Sequence, residues 1–433
     1  MPNECEFLNL VNGRKAVIAV IGLGNTGLPV VQGYVAQGFP VHGIDIDAVR
    51  VAELRSGHCA LSHISDQDVQ TLIDGSFSVG SDYRAVTDAD VVIVCVPTPL
   101  DTNGIADLSA VRAAFDAMAP YLHRAPLVMV QSTVPPGTTD ILAARLAAKS
   151  GLTLGTDLFV ASAPERIDPA NTAGWSITTT PRVVGGVTQA CSRRASAVLE
   201  SLCAKTTTVS TTRTAEVTKI VENTFRMVNI ILANEISDVC RDLGVSEREV
   251  IEAASTKPFG FLAHRPGPGI GGDCIPVTPA FLLVEAHRRG IPMPIVATAY
   301  RQIARRPHYV VTRLTEALAR KHCRIAGSAV LVLGVSYKEN VNDTRNAPAV
   351  RIIERLLRLG ASVQYHDPLV PVLTVSGRRL ESQPCGPSDL VSYDCAVLVT
   401  AHDELLSQLN PAPLPLVLDT RHVLRQEGNV EWL

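Results

Sequence analysis

A cysteine that follows a run of glycines is the first candidate for chemistry in this chain. Cys274 stands near the end of the segment RPGPGIGGDCIP, residues 265–276, in which four glycines fall within six positions. Glycine reaches positive φ and lets a backbone approach a ligand closely, and the flanking prolines stiffen the loop. A thiol placed there is a nucleophile only if a nearby charge or base lowers its pKa. Without that help it is a small apolar residue, and for a lone cysteine this is the commoner outcome. Lys219 and Asn223 are the second candidates. They are four apart and share one face of a helix, and Glu222, Arg226, Asn229, Asn234 and Glu235 add polar groups to the same largely apolar segment. A solvated surface and a lined cleft both fit this pattern.

The third candidate is GLGNTG, residues 22–27, directly after the apolar run KAVIAVI of residues 15–21. Gly22, Gly24 and Gly27 give a GxGxxG turn between a strand and a helix, and Asp45 ends the next apolar run about 20 residues on, as a dinucleotide fingerprint requires. The glycines admit a pyrophosphate to the helix N-terminus. A carboxylate at Asp45 suits a ribose diol and repels a 2′-phosphate, so NAD is expected rather than NADP, with Asp47 the alternative acid. Residues 132–139 (STVPPGTT) follow another apolar run and read either as a phosphate- or cofactor-facing loop or as a plain turn. Glu165, in SAPER (162–166), and residues 337–345 stand at further strand ends, as site residues or as salt-bridged turns. Cys95 lies inside a strand pattern and reads as structural.

The elements that must position these residues follow from periodicity. Residues 15–21, 41–45, 89–96, 126–131 and 158–162 are short continuous apolar runs, the signature of strands buried on both faces of a parallel sheet. Near residue 209 the pattern changes. Residues 216–241 read as one long helix closed by Gly244, and helical character is expected to end near Pro307. Strand patterns resume at 329–334, 361–367, 395–399 and 415–419, with an amphipathic helix over 346–359. The fold class expected is α/β, with two Rossmann-like doubly wound domains joined by a long-helix central domain. The divisions are 1–209, 210–308 and 309–433.

With 433 residues, 46% hydrophobic and 19% charged, the chain can bury two or three full cores. A net charge of −3 and 4% aromatic residues predict no nucleic-acid partner, and no apolar run reaches membrane-spanning length, so no membrane is expected either. The ten cysteines are spread singly, without a metal-binding pair, which predicts no metal and a reducing, cytoplasmic setting. Residues 1–10 show no signal-peptide pattern.

Taken together, GLGNTG at 22–27, VPTP at 96–99, Ser132-Thr133, PER at 164–166, the 216–235 helix, the Cys274 loop and residues 338–348 resemble the nucleotide-sugar 6-dehydrogenases of the UDP-glucose/GDP-mannose dehydrogenase superfamily, over essentially the whole chain. The KPFGF segment at 257–261 and the PER form resemble the UDP-N-acetylglucosamine branch. The resemblance implies a four-electron oxidation of a UDP-sugar C6 alcohol to the carboxylate, with NAD, through a Cys274 thiohemiacetal and thioester. Lys219 and Asn223 match residues that steady the C6 oxygen, and Thr133 and Glu165 match residues that hold a water. Gly22, Gly24, Gly27, Asp45, Arg50, Thr98, Thr133 and Arg345 match cofactor contacts. Glu165, Lys219, Asn223, Phe259, Gly269, Gly271 and Lys338 match substrate contacts. A homodimer or a dimer of dimers is implied. UDP-glucose, UDP-N-acetylmannosamine and a two-electron, aldehyde-releasing reaction are the alternatives. Two positions depart from the branch: Asp273 stands where it has histidine, and Thr278 where it has aspartate.

Overall fold

The computed structural model describes residues 4–168 and 174–433. Residues 1–3 and 169–173 of the expected first domain lie outside the described residues. The chain divides into two compact units, one of residues 1–222 with 280–291, the other of residues 223–279 with 292–433.

The first unit holds an eight-stranded sheet. Its strands are β1 (Ile18–Ile21), β2 (Val41–Ile44), β3 (Phe77–Gly80), β4 (Val91–Val94), β5 (Leu127–Val130), β6 (Phe159–Ser162), β7 (Arg182–Gly186) and β8 (Thr206–Thr208). They lie in the order β3-β2-β1-β4-β5-β6-β7-β8. Neighbours are parallel except β6 and β7. The apolar runs are strands because both faces are covered. Ile18 and Val20 of β1 enter one core with Leu28, Val31 and Tyr34, while Ala19 and Ile21 enter another with Val111, Phe115 and Met118. That alternation follows from the two-residue period of a strand.

The second unit repeats the plan with five parallel strands, β9 (Ala329–Leu333), β10 (Ser362–His366), β13 (Cys395–Leu398), β14 (Val417–Asp419) and β15 (Val430–Trp432), in the order β10-β9-β13-β14-β15. A hairpin of β11 (Val372–Val375) and β12 (Arg378–Glu381) stands apart as its own two-stranded sheet. Val330 and Val332 face the helix Pro348–Arg358 through Ile352, Ile353 and Leu356, while Leu331 and Leu333 face Leu390, Leu405 and Leu414. The fold class is therefore the expected one, two Rossmann-like parts with long helices between them in sequence.

The two long helices are Thr212–Asp242 and Pro294–Arg320. The second corrects the expected helix end near Pro307, because it runs through that proline for another 13 residues. A proline inside a helix removes one backbone donor and crowds the preceding turn. Here tertiary packing wins. Pro307 is buried, Val310, Val311, Leu314, Ala317 and Leu318 beyond it enter the core of the second sheet, and Arg306 just before it is tied down by Asp238 at 2.9 Å and by the carbonyl of Gly267 at 3.0 Å. No helix among the described residues is long and apolar enough to cross a membrane.

Candidate functional site

The glycine turn after β1 assigns its three glycines different duties. Gly22 has φ +89°, open to glycine at little cost. A Cβ on Gly27 would lie 1.7 Å from the Gly22 carbonyl oxygen, so helix and turn pack too tightly there for any side chain. A Cβ on Gly24 would meet nothing within 4 Å. No protein atom demands glycine at that position, which is what a backbone kept bare for a ligand looks like. The helix that follows, Gly27–Ala36, has no side-chain cap on its N-terminus. Bare glycine and uncapped helix together fit a dinucleotide pyrophosphate.

Asp45, at the end of β2 and nearly buried, accepts from the backbone N–H of Leu23 at 2.8 Å and of Asp47 at 2.9 Å, and pairs with Arg50 at 3.0 Å. The acid therefore braces the glycine turn, and Arg50 balances its charge. Asp47 caps the Ala48–Arg55 helix by accepting from Val49 and Arg50.

Thr98 and Thr133 meet at the carboxyl ends of β4 and β5, where the Thr98 hydroxyl donates to the Thr133 carbonyl at 2.6 Å. The loop 132–139 is only partly available to a ligand. The Glu216 carboxylate accepts from the backbone N–H groups of Gly137 and Thr139 and so occupies the N-terminus of the Thr138–Ser150 helix. Glu165 and Arg166 diverge from one turn. Glu165 Oε1 accepts from the N–H groups of Arg166 at 2.7 Å and Ile167 at 2.8 Å and pairs with the fully buried Arg182. Burial alone would raise the Glu165 pKa, but the charge and hydrogen bond of Arg182, with the two backbone donors, pull it below its ordinary value. Glu165 is thus a fixed carboxylate. Its Oε2 has no partner among the described residues and is the oxygen free to accept. Arg166 pairs with Glu222 at 2.6 Å, which bolts this loop to the turn of the long helix that carries Lys219, three residues earlier. Cys95 is buried, its thiol pushed far up by burial, as a structural cysteine should be.

In the second unit, the expected nucleophile is exposed. Thr278, at the start of the Thr278–Arg288 helix, donates its hydroxyl to the Cys274 carbonyl at 2.9 Å and accepts from Asn223 Nδ2 at 3.0 Å, 55 positions away in sequence. The glycines before Cys274 are explained by packing. A Cβ on Gly271 would lie 2.7 Å from the Tyr337 Cβ, and one on Gly272 would lie 2.9 Å from the Tyr337 ring. Gly269 has φ +142° and sits against Pro348 and Pro307. The segment is further bound to the turn after β9, where Gly272 N–H donates to the Arg345 carbonyl at 2.9 Å and Asn346 Nδ2 donates to the Gly272 carbonyl at 3.1 Å. The Arg345 guanidinium pairs with both Asp273 and Asp343. Burial and the Asp343 charge raise the Asp273 pKa despite Arg345. The ion pair with Arg345 holds the Asp273 carboxylate beside Cys274. Lys338 is half-buried in the same turn after β9. Phe259 is 71% exposed, its ring under the Lys257 ammonium at 5.0 Å, and is not gathered with these residues.

Comparison with known proteins places this geometry. Profiles of the UDP-glucose/GDP-mannose dehydrogenase family match its NAD binding domain to residues 16–203, its central domain to 213–303 and its UDP binding domain to 331–426. The chain belongs to the UDP-glucose/GDP-mannose dehydrogenase family. A UDP-N-acetyl-D-mannosamine dehydrogenase of Methanocaldococcus jannaschii is 31% identical, covering 96% of this chain and 94% of that one. An NDP-N-acetyl-D-galactosaminuronic acid dehydrogenase of Ralstonia nicotianae is 33% identical, with coverage of 93% and 95%. A solved UDP-D-ManNAc dehydrogenase of Pyrococcus horikoshii superposes with TM-score 0.85 at 30% identity, covering 96% and 98%. Enzymatic activity of the nucleotide-sugar dehydrogenase class, with NAD as cofactor, follows from this membership.

No local pattern singles out Arg182 or Glu216. An arginine opening a strand (TPRVVGG) carries no hint of its partner, and the glutamate on the long helix looks like any surface acid. Two outcomes test the geometry of this unit. Gly24→Ala should leave thermal stability nearly unchanged while weakening NAD binding by titration calorimetry, whereas Gly27→Ala, with its Cβ driven into Gly22, should cost more than about 3 kcal/mol in urea unfolding. The depressed Glu165 pKa contributes stability that is full above the unfolded carboxylate value of about 4.3 and is lost as pH falls through the lower folded value. Urea stability of the wild type should therefore fall more steeply below that pH than stability of Glu165→Gln, although the variant is less stable at neutral pH.

Proposed function

We propose that this chain oxidises the C6 alcohol of a UDP-N-acetylhexosamine to the carboxylate, with two NAD reduced per sugar. The observation that carries the reading is the Asn223–Thr278–Cys274 chain of hydrogen bonds, which puts the expected oxyanion donor and the expected nucleophile in one small cluster. NAD, when bound, accepts the hydride of each oxidation. The chain's own residues do the rest. Lys219 and Asn223 steady the C6 oxygen as charge develops on it, and an amide with one N–H given to Thr278 keeps a second for that purpose. Cys274 Sγ adds to C6 of the aldehyde, giving a thiohemiacetal. Its oxidation leaves a thioester, and water releases the acid and the thiol. The sum is alcohol, two NAD⁺ and water going to carboxylate, two NADH and three protons. Glu165, ionised and with Oε2 free to accept, orients the water. Lys338 and Arg345, from the turn after β9, are assigned to the nucleotide sugar and the cofactor.

The KPFGF segment favours the gluco configuration, and the relatives named for UDP-N-acetyl-D-mannosamine favour the manno. Both sugars carry the same 2-acetamido group. A second reading rests on Thr278. Its hydroxyl is committed to the Cys274 carbonyl, it carries no base near neutral pH, and Asp273 is held by Arg345. Thioester hydrolysis then depends on Glu165 alone, and a two-electron reaction that releases the aldehyde becomes the alternative.

We also propose the divisions 1–209, 210–308 and 309–433 as functional domains, and a cytoplasmic homodimer. Leu232, Ile236 and Val239 form an exposed apolar stripe at helical spacing on the long helix, continued by exposed Leu243 just past its end, a face that association would bury.

NADH formed per mole of limiting sugar tests the reaction, with UDP-N-acetylglucosamine, UDP-N-acetylmannosamine and UDP-glucose in parallel. Two equivalents with an N-acetylhexosamine are expected, and Cys274→Ala should abolish carboxylate formation; full four-electron turnover in that variant would overturn the mechanism. One equivalent with a trappable aldehyde would establish the second reading. Val239→Glu should convert a dimer to a monomer in sedimentation velocity, and an unchanged mass would remove the stripe from the interface.

A further inference from the structure

The turn after β9 is held by a buried polar knot that the reaction itself does not use. His402, Asp367 and Ser336 are all at most 2% exposed. His402 Nδ1 accepts from the backbone N–H of Asn340 at 2.9 Å, so the ring proton sits on Nε2. Nε2 lies 3.1 Å from Asp367 Oδ2 and 2.9 Å from Ser336 Oγ, and Ser336 Oγ donates its own proton to the Lys338 carbonyl at 2.9 Å. This Ser–His–Asp grouping is no hydrolase triad. Its serine proton is committed to a backbone carbonyl, its histidine donates toward serine and acid alike, and no substrate atom can reach a group so buried.

The grouping instead fixes a backbone shape. Asp367 Oδ2 also accepts from Val335 N–H at 2.7 Å and Ser336 N–H at 3.2 Å, and the Thr400 hydroxyl donates to the Ser336 carbonyl at 2.6 Å. At the far end of the turn Asn340 adopts φ +61°, an uncommon conformation for a residue with a Cβ. It is held there by His402 and by Asp403, whose carboxylate accepts from Asn340 Nδ2 at 2.8 Å and whose backbone N–H donates to Asn340 Oδ1 at 3.1 Å. Between these pinned ends lie Tyr337, on which Gly271 and Gly272 pack, and Lys338.

We propose that His402 is a positioning residue for the reaction: as a neutral ring with its proton on Nε2, it sets the 336–340 turn so that Lys338 meets the nucleotide sugar while Tyr337 supports the glycine platform before Cys274. The inference rests on the assignment of Lys338 to the nucleotide sugar. It is tested on the full-length protein by titration calorimetry with UDP and with NAD, together with steady-state kinetics, in His402→Leu, His402→Asn and Lys338→Ala. His402→Leu should weaken UDP binding by about tenfold, the effect of losing a buried hydrogen bond, and raise KM for the sugar nucleotide while NAD affinity is unchanged. His402→Asn, which returns an acceptor near the Nδ1 position, should recover most of that loss. UDP affinity that is lost in Lys338→Ala but intact in His402→Leu would overturn the proposal. So would a defect in His402→Leu that extends to NAD or that His402→Asn does not relieve at all, since either marks general loss of structure. UDP affinity intact in Lys338→Ala would instead overturn the assignment of Lys338.

Discussion

A carboxylate at the end of the second strand, accepting backbone N–H groups from the turn after the first, is the interaction on which both halves of the molecule are built. Asp45 does this for Leu23, and Asp367 does it for Val335 and Ser336. The correspondence extends to the glycines that end the first strands. Gly22 and Gly334 both have positive φ, and their N–H groups donate to the carbonyls of Ile44 and His366 in the neighbouring strand. Each acid is buried where desolvation would penalise it, and each is stabilised by several donors. Loss of the acid would leave those N–H groups unpaired and release the turn that carries the ligand-facing residues.

From this shared device the halves diverge. In the first, helix follows turn almost at once, so a bare Gly24 and an uncapped helix N-terminus stand side by side. In the second, the helix begins only at Pro348, and the intervening residues form a long turn that His402, Thr400 and Asp403 pin from the neighbouring strand end. The first arrangement suits a pyrophosphate held by backbone dipoles. The second holds charged side chains, Lys338 and Arg345, in place.

The strands that carry the site were legible because continuous apolar runs such as VVIV and LVMV mean a sheet covered on both faces, and GLGNTG with Asp45 supplied its own context. What escaped were features whose cause lies far away in the chain. β8 is TTT, a strand only because β7 lies beside it. Pro307 should end a helix by local rules, and only the buried residues on either side of it show why it does not. The glycines before Cys274 read locally as room for a ligand, and nothing local shows that a Cβ at Gly271 or Gly272 would also meet Tyr337. Glu165 was legible as an acid at a strand end, but the arginine that keeps it ionised was not, since nothing local in TPRVVGG names a partner.

The packing of Tyr337 on Gly271 and Gly272 also constrains how the gene can change. A Cβ on Gly271 would collide with the Tyr337 Cβ and one on Gly272 with the Tyr337 ring, and Gly272 needs positive φ as well. Trimming position 337 to a smaller side chain frees neither glycine, because the clash at 271 is with the Cβ of that residue and with the Asn346 carbonyl, and position 272 keeps its positive φ. Selection acting on how the nucleotide is held is therefore felt beside the thiol, and a lineage adapting to a new sugar must keep both glycines while it changes what surrounds them.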